Sequence, residues 1–237
     1  MRLEVEDVHA GYGRIEVLRG LSLEVPDGIA VGLFGPNGHG KTTLLRAISG
    51  LLPVTRGAVR FGGATLTNGS PSAIVAAGVI HVPQASTLFP RMTVEEALTL
   101  GAYTREAWSR RRETFDRVFS IFPRLAERRR QLCRTLSGGE RQMAAIGVGL
   151  MGCPRLLMLD EPTLGLAPKI RAELERQIRR VAETGVGLLV VDQDVDLLLG
   201  LCPRLYLVEN GVVALEVNDR SEMRHQDVLQ RYFGSAA

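Results

Sequence analysis

The stretch GPNGHGKTT, Gly35 to Thr43, follows the continuous apolar run IAVGLF (29 to 34) and leads into KTTLLRAISG (41 to 50). A short unbroken apolar run reads as a strand buried on both faces, and Gly-Pro-Asn-Gly ends it before a helix. The residues fit G-x-x-x-x-G-K-S/T, where glycines let backbone N–H groups converge on phosphate oxygens at a helix N-terminus. A tight glycine turn could use some of the same residues, but the strand before it and the helix after it are the context that phosphate binding demands. On that reading Gly35, Pro36, Asn37, Gly38, His39, Gly40, Lys41, Thr42 and Thr43 cradle the phosphates. Lys41 spans the β and γ phosphates, and the Thr42 hydroxyl sits on Mg2+.

The strand-then-helix pattern returns at PRLLMLDEP (154 to 162) with 168 to 183, and at VGLLVVDQ (186 to 193) with 194 to 201. Alternation of this kind indicates a mostly parallel sheet covered on both faces. RLEVEDV (2 to 8) and GLSLEV (20 to 25) instead alternate apolar and polar residues, as half-exposed antiparallel strands do. From about Phe89 to Leu150 the periodicity is mostly helical, and Asn210-Gly211 between two apolar runs marks a hairpin over 205 to 217. The expected fold is α/β: a phosphate-loop NTPase core over 1–88 and 151–237, with an antiparallel β subdomain and a helical insertion at 89–150, forming one domain.

LLMLDE (156 to 161) ends a buried strand with Asp160 at its carboxyl end, where ligands bind in open α/β sheets. Asp160 is placed to hold the Mg2+ shell, and Glu161 to orient and deprotonate an attacking water. A strand followed by an acidic helix start would look the same in isolation. In LSGGERQ (136 to 142), Ser137 with Glu140 forms a capping box, and the capped helix N-terminus with two glycines also offers N–H groups to an anion.

GPNGHGKT, LSGGERQ and LMLDEP, in that order and at these distances, resemble the ATP-binding cassette ATPases over essentially the whole chain. The resemblance implies a head-to-tail dimer with two ATP molecules, each held between one subunit's phosphate loop and the other's Ser137, Gly138 and Gly139. It also implies adenine stacking on Tyr12, and it places Gln84 in a loop that links the γ-phosphate and metal to the helical insertion. LFPRMTVEEALTLGAY, FPRLAERRRQL and DEPTLGLAP are similar to one of the two ATPase subunits of branched-chain amino acid importers. That subgroup implies a soluble subunit on the cytoplasmic face of the membrane, docked through its helical insertion on two hydrophobic permease subunits. It further implies a related but different ATPase partner and a substrate-binding protein. Urea and short-amide importers use similar subunits, and a non-transport cassette is a further alternative.

His39 stands where the family commonly has a small residue. Two readings are open: a side chain that points outward without consequence, or a pH sensor beside the nucleotide. Gln193 stands where many cassettes have a histidine on the γ-phosphate, and Ala167 where other members usually carry Asp. His9, His81 and His225 stand alone in the sequence and read as ordinary strand or helix positions.

The net charge is only +3, and the arginines at 110–112 and 128–130 interleave with Glu106, Glu113, Asp116 and Glu127. A solvated helical face is therefore expected rather than a nucleic-acid surface. Three widely spaced cysteines form neither a zinc pattern nor a disulfide framework, and the acidic N-terminal segment lacks the apolar core of a signal peptide.

Overall fold

The computed structural model describes residues 1–84 and 88–218. Two long strands, β1 (Leu3–Tyr12) and β2 (Ile15–Val25), pair antiparallel with Leu3 opposite Val25 and Val5 opposite Leu23. All four of these side chains are buried, as alternation toward one covered face requires. The chain continues through β3 (Ala30–Phe34), α1 (Lys41–Ile48), β4 (Val54–Phe61), β5 (Ala64–Thr65), α2 (Pro71–Ala76) and β6 (Val79–Val82). Five helices follow: α3 (Val94–Gly101), α4 (Arg105–Ser109), α5 (Arg111–Ile121), α6 (Pro123–Glu127) and α7 (Gly138–Met151). The remainder is β7 (Leu156–Asp160), α8 (Pro168–Glu183), β8 (Gly187–Val191), α9 (Val195–Leu201), β9 (Arg204–Glu209) and β10 (Val212–Val217).

The strands form two sheets, β2-β1-β4-β5 and β10-β9-β3-β8-β7-β6. In the larger sheet β9, β3, β8, β7 and β6 run parallel, and β10 returns antiparallel from the Asn210-Gly211 turn. Every residue of β3, β7 and β8 is buried, because the sheet is covered on both faces. Side chains alternate between two cores. Leu157, Leu159, Leu188 and Val190 meet α7, α8 and α9. Leu156, Met158, Leu189 and Val191 meet α1 and the antiparallel sheet. The second cover is thus a sheet together with α1 and Ile74 of α2.

Between β6 and β7 the helices start at capping residues. Thr93 and Ser137 each form a full capping box, with Glu96 and Glu140, while Thr104 caps α4 and Pro123 opens α6. The arginine-rich face is locally neutralised: Arg110 and Arg117 meet Glu113, Arg129 meets Glu95, and Arg128 meets Glu127 and Glu140. Cys133 and Cys153 form no disulfide among the described residues.

Two of the histidines read as isolated have partners: His9 Nδ1 lies 2.9 Å from Glu16, and His81 Nδ1 lies 3.0 Å from Ser49 Oγ. His225 is outside the described residues. Ser49 Oγ donates to the Leu45 carbonyl at 2.6 Å, so it accepts from His81, which carries its proton on Nδ1. Among the described residues His81 Nε2 is buried without a hydrogen-bond partner, and burial, aided by Arg46, lowers the His81 pKa to about 4. The fold refuses a proton that the unfolded chain takes up near pH ~6.5. Stability is therefore full above that pH and is lost as pH falls toward about 4. The loss should reach on the order of 3 kcal/mol, at roughly 1.4 kcal/mol per unit. Urea unfolding of wild type and His81→Phe between these limits checks it; equal acid sensitivity in both would exclude His81 as the cause.

Candidate active site

The β3–α1 loop, the ends of β7 and β8 and the start of the β6–α3 connection enclose a cavity of about 420 Å³. Its lining includes Asn37, Gly38, Gly40, Lys41, Thr42, Thr43, Gln84, Glu161, Leu164 and Gln193. Lys41, the first residue of α1, is only 5% exposed, and its Nζ donates to the Gly35 and Pro36 carbonyls at 2.7 and 2.9 Å. Burial lowers its pKa, opposed by the carboxylates of Glu161, Asp160 and Asp192. An ammonium largely stripped of water beside an open polar cavity is an electrostatic seat for an anion.

Thr42 Oγ1 donates to Asp160 Oδ1 at 3.2 Å, joining the first turn of α1 to the end of β7. Burial raises the Asp160 pKa, with the Thr42 hydrogen bond acting against it. The Thr42 hydroxyl and the Asp160 carboxylate are hard oxygen donors of the kind that suits Mg2+, and the amide oxygen of Gln84, whose nitrogen is held by Glu161, would add a third. No atom of the described residues lies within 4 Å of where a Cβ on Gly38 would stand, so the loop is open on that side. These residues fit a magnesium nucleotide.

Glu161 follows Asp160 in a left-handed conformation, φ 46°, anchored by its N–H to the Val191 carbonyl at 2.7 Å. Non-glycine residues rarely adopt this backbone, and such strain concentrates at functional sites. Both carboxylate oxygens accept amide donors: Oε1 from Gln193 at 2.9 Å and Oε2 from Gln84 at 2.8 Å. The two glutamines, from different connections, thus converge on one carboxylate. Asp192, which the sequence reading passed over, sits beneath them. Its Oδ2 accepts from Thr163 Oγ1 at 2.8 Å and its Oδ1 from the Asp194 N–H at 3.0 Å, which ties the loops after β7 and β8 together. Its signal was an acidic residue closing the apolar run of β8, beside Gln193.

Ser137, Gly138 and Gly139 do not line this cavity, and neither does Tyr12. Ser137 caps α7, its N–H donating to Glu140 at 2.9 Å. A Cβ on Gly139 would collide with Ile170 of α8, whereas one on Gly138 would meet no atom within 4 Å. Packing inside the chain therefore accounts for Gly139 but not for Gly138. Tyr12, half-exposed at the end of β1, has its hydroxyl 3.1 Å from Arg46 of α1. His39 is not among the residues that line the cavity; its Nδ1 accepts the Asn210 N–H at 3.1 Å, where the β9–β10 turn packs against the loop.

The family model described as ABC transporter matches residues 18–164. The chain belongs to the ABC transporter family. It is 37% identical over 232 residues to the high-affinity branched-chain amino acid transport ATP-binding protein BraG of Pseudomonas aeruginosa, covering 98% of this chain and 99% of that protein. It is 33% identical to a probable branched-chain amino acid transport ATP-binding protein, LivF, of Archaeoglobus fulgidus, covering 94% and 95%. A crystal structure of an ATP-binding cassette of an ABC transporter in its ADP conformation superposes with a TM-score of 0.85 at 25% identity, over 99% and 98% of the two chains. The protein is accordingly an ABC ATPase, which binds and hydrolyses ATP.

One departure of this ABC ATPase has a local consequence. Ala167 is the N-cap of α8, with extended backbone and no side-chain acceptor for the first-turn N–H groups. Ala167→Asp should supply one and raise stability by about 0.5 to 2 kcal/mol. Thermal unfolding of nucleotide-free protein reads this directly, and an unchanged or lowered Tm would mean that the cap geometry does not form.

Proposed function

We propose that the chain is the ATP-hydrolysing subunit of an importer for branched-chain or other hydrophobic amino acids, held on the cytoplasmic face of the membrane by two permease subunits. The observation that carries this reading is the similarity to BraG over nearly the full length of both proteins. An apolar groove of about 410 Å³ between α2, β6, α3 and α7 supports the docking role. Leu51, Phe89 and Tyr103 stand 61%, 60% and 60% exposed along it, more apolar surface than a free subunit needs to show. Among the described residues no helix is long and apolar enough to cross a membrane, so transport requires other chains.

In this reading Lys41 and the loop's N–H groups bind the β and γ phosphates, and Tyr12 carries the adenine. Thr42, Asp160 and Gln84 hold Mg2+, which when bound would neutralise phosphate charge. Glu161 takes the proton of the attacking water. Ser137, Gly138 and Gly139 serve the nucleotide of a second, related ATPase subunit, in keeping with their place outside this chain's own cavity and with the unfilled space beside Gly138. A substrate-binding protein delivers the solute to the permease.

Uptake of labelled leucine, urea and acetamide in a strain lacking this gene tests the solute class. Loss of leucine uptake alone is expected; loss of urea or acetamide uptake with leucine intact would transfer the assignment. Purification from detergent tests the assembly, and absence of any polytopic membrane protein with the tagged chain would count against transport.

A further inference from the structure

We propose that His39 is a positioning residue that pins the phosphate loop to the turn of the β9–β10 hairpin. The turn is Asn210-Gly211, with φ 51° and 82°, the paired left-handed conformations of a two-residue hairpin. In such a turn the two central N–H groups face away from the ladder, and here one residue takes both. His39 Nδ1 accepts from Asn210 at 3.1 Å, and the His39 carbonyl accepts from Gly211 at 3.1 Å. The turn is wedged on its other side, where the Arg19 N–H of β2 donates to the Gly211 carbonyl at 3.0 Å. A Cβ on Gly211 would overlap the Val17 carbonyl, so there is no slack between hairpin and β2. The loop is therefore tied through His39 to the antiparallel sheet as well as to its own strand and helix. A residue without a side-chain acceptor at position 39 would keep only the carbonyl bond.

The second bond has a chemical condition. Nδ1 accepts only as a bare ring nitrogen, with the ring neutral and its proton on Nε2; a protonated imidazole has donors alone. Charged residues close to the junction along the chain are Lys41 on the loop, Glu16 and Arg19 of β2 and Glu209 at the end of β9; Glu216 lies toward the far end of β10. They are common to the three position-39 proteins compared below, as is the titration of ATP itself.

The proposal rests on the reading that this loop holds the nucleotide, and the test separates the two. Mg-ATP affinity is measured for wild type, His39→Ala, His39→Asn and Lys41→Ala at about pH 8 and about pH 5. The Asn side-chain oxygen can occupy the Nδ1 position and does not titrate. At the higher pH, wild type and the Asn variant should bind alike, and the Ala variant about 2- to 10-fold more weakly, the worth of one neutral hydrogen bond. At the lower pH, wild type should fall to the Ala level relative to the Asn variant. Hydrogen exchange of the Asn210 amide in nucleotide-free protein should follow the same order. Identical affinities and exchange in the three position-39 proteins would overturn the proposal, and so would a wild-type affinity that rises in acid relative to the Asn variant. If Lys41→Ala binds as wild type does, the loop reading itself fails.

Discussion

Glu161→Gln should bind ATP normally and lose hydrolysis by about 100- to 10,000-fold, the usual contribution of a positioned general base. The substitution is conservative where it stands. Both carboxylate oxygens already face amide donors, so the new amide nitrogen would meet the NH2 group of Gln84 or Gln193. Rotation of that glutamine's amide by half a turn restores a donor–acceptor pair, so the loops after β6 and β8 keep their places. What disappears is the group that takes a proton. Single-turnover hydrolysis of radiolabelled ATP, with affinity measured in parallel, separates chemistry from binding. Turnover within a few-fold of wild type would remove Glu161 from the proton transfer.

Lys41→Ala should fail one step earlier, weakening Mg-ATP binding by about 10- to 150-fold, as expected for hydrogen bonds to a charged group worth about 1.5 to 3 kcal/mol. The chain has only one other lysine, Lys169, at the start of α8 and outside the cavity lining. No nearby ammonium can substitute. The change also strips the Gly35 and Pro36 carbonyls of their donor, so the loop loses a brace together with its charge. Titration calorimetry with Mg-ATP measures the loss; unchanged affinity would mean that backbone N–H groups alone hold the phosphates.

The parallel core was legible because burial on both faces leaves an unbroken apolar signature. The runs ending in Phe34, Asp160 and Val191 are β3, β7 and β8, and Pro168–Glu183 is α8 with the bounds expected from the sequence. The Asn210-Gly211 hairpin was legible because its turn needs residues that tolerate positive φ. Strand order was not, since β3 lies between β9 and β8, which come more than 150 residues later. The same limit governs the site. Motif spacing identified Lys41, Asp160 and Glu161, but the two glutamines closing on Glu161, the support from Asp192 and the His39–Asn210 bond join residues 29 to 171 positions apart. Contacts at such separations leave no periodicity. His39 is the clearest case, since its partner is a backbone N–H that any residue at position 210 except proline would present.

The adjoining glycines at the start of α7 answer to different masters. Gly139 is small because Ile170 lies against it, so a bulkier residue there can be accommodated by shrinking another side chain of this polypeptide. A Cβ on Gly138 would meet no atom of the described residues within 4 Å, so no packing inside this chain requires glycine there. In genetic terms, suppressors of defects at Gly139 belong in this gene, at Ile170. If Ser137, Gly138 and Gly139 serve a second subunit's nucleotide, as proposed, suppressors of defects at Gly138 belong in the gene for that subunit.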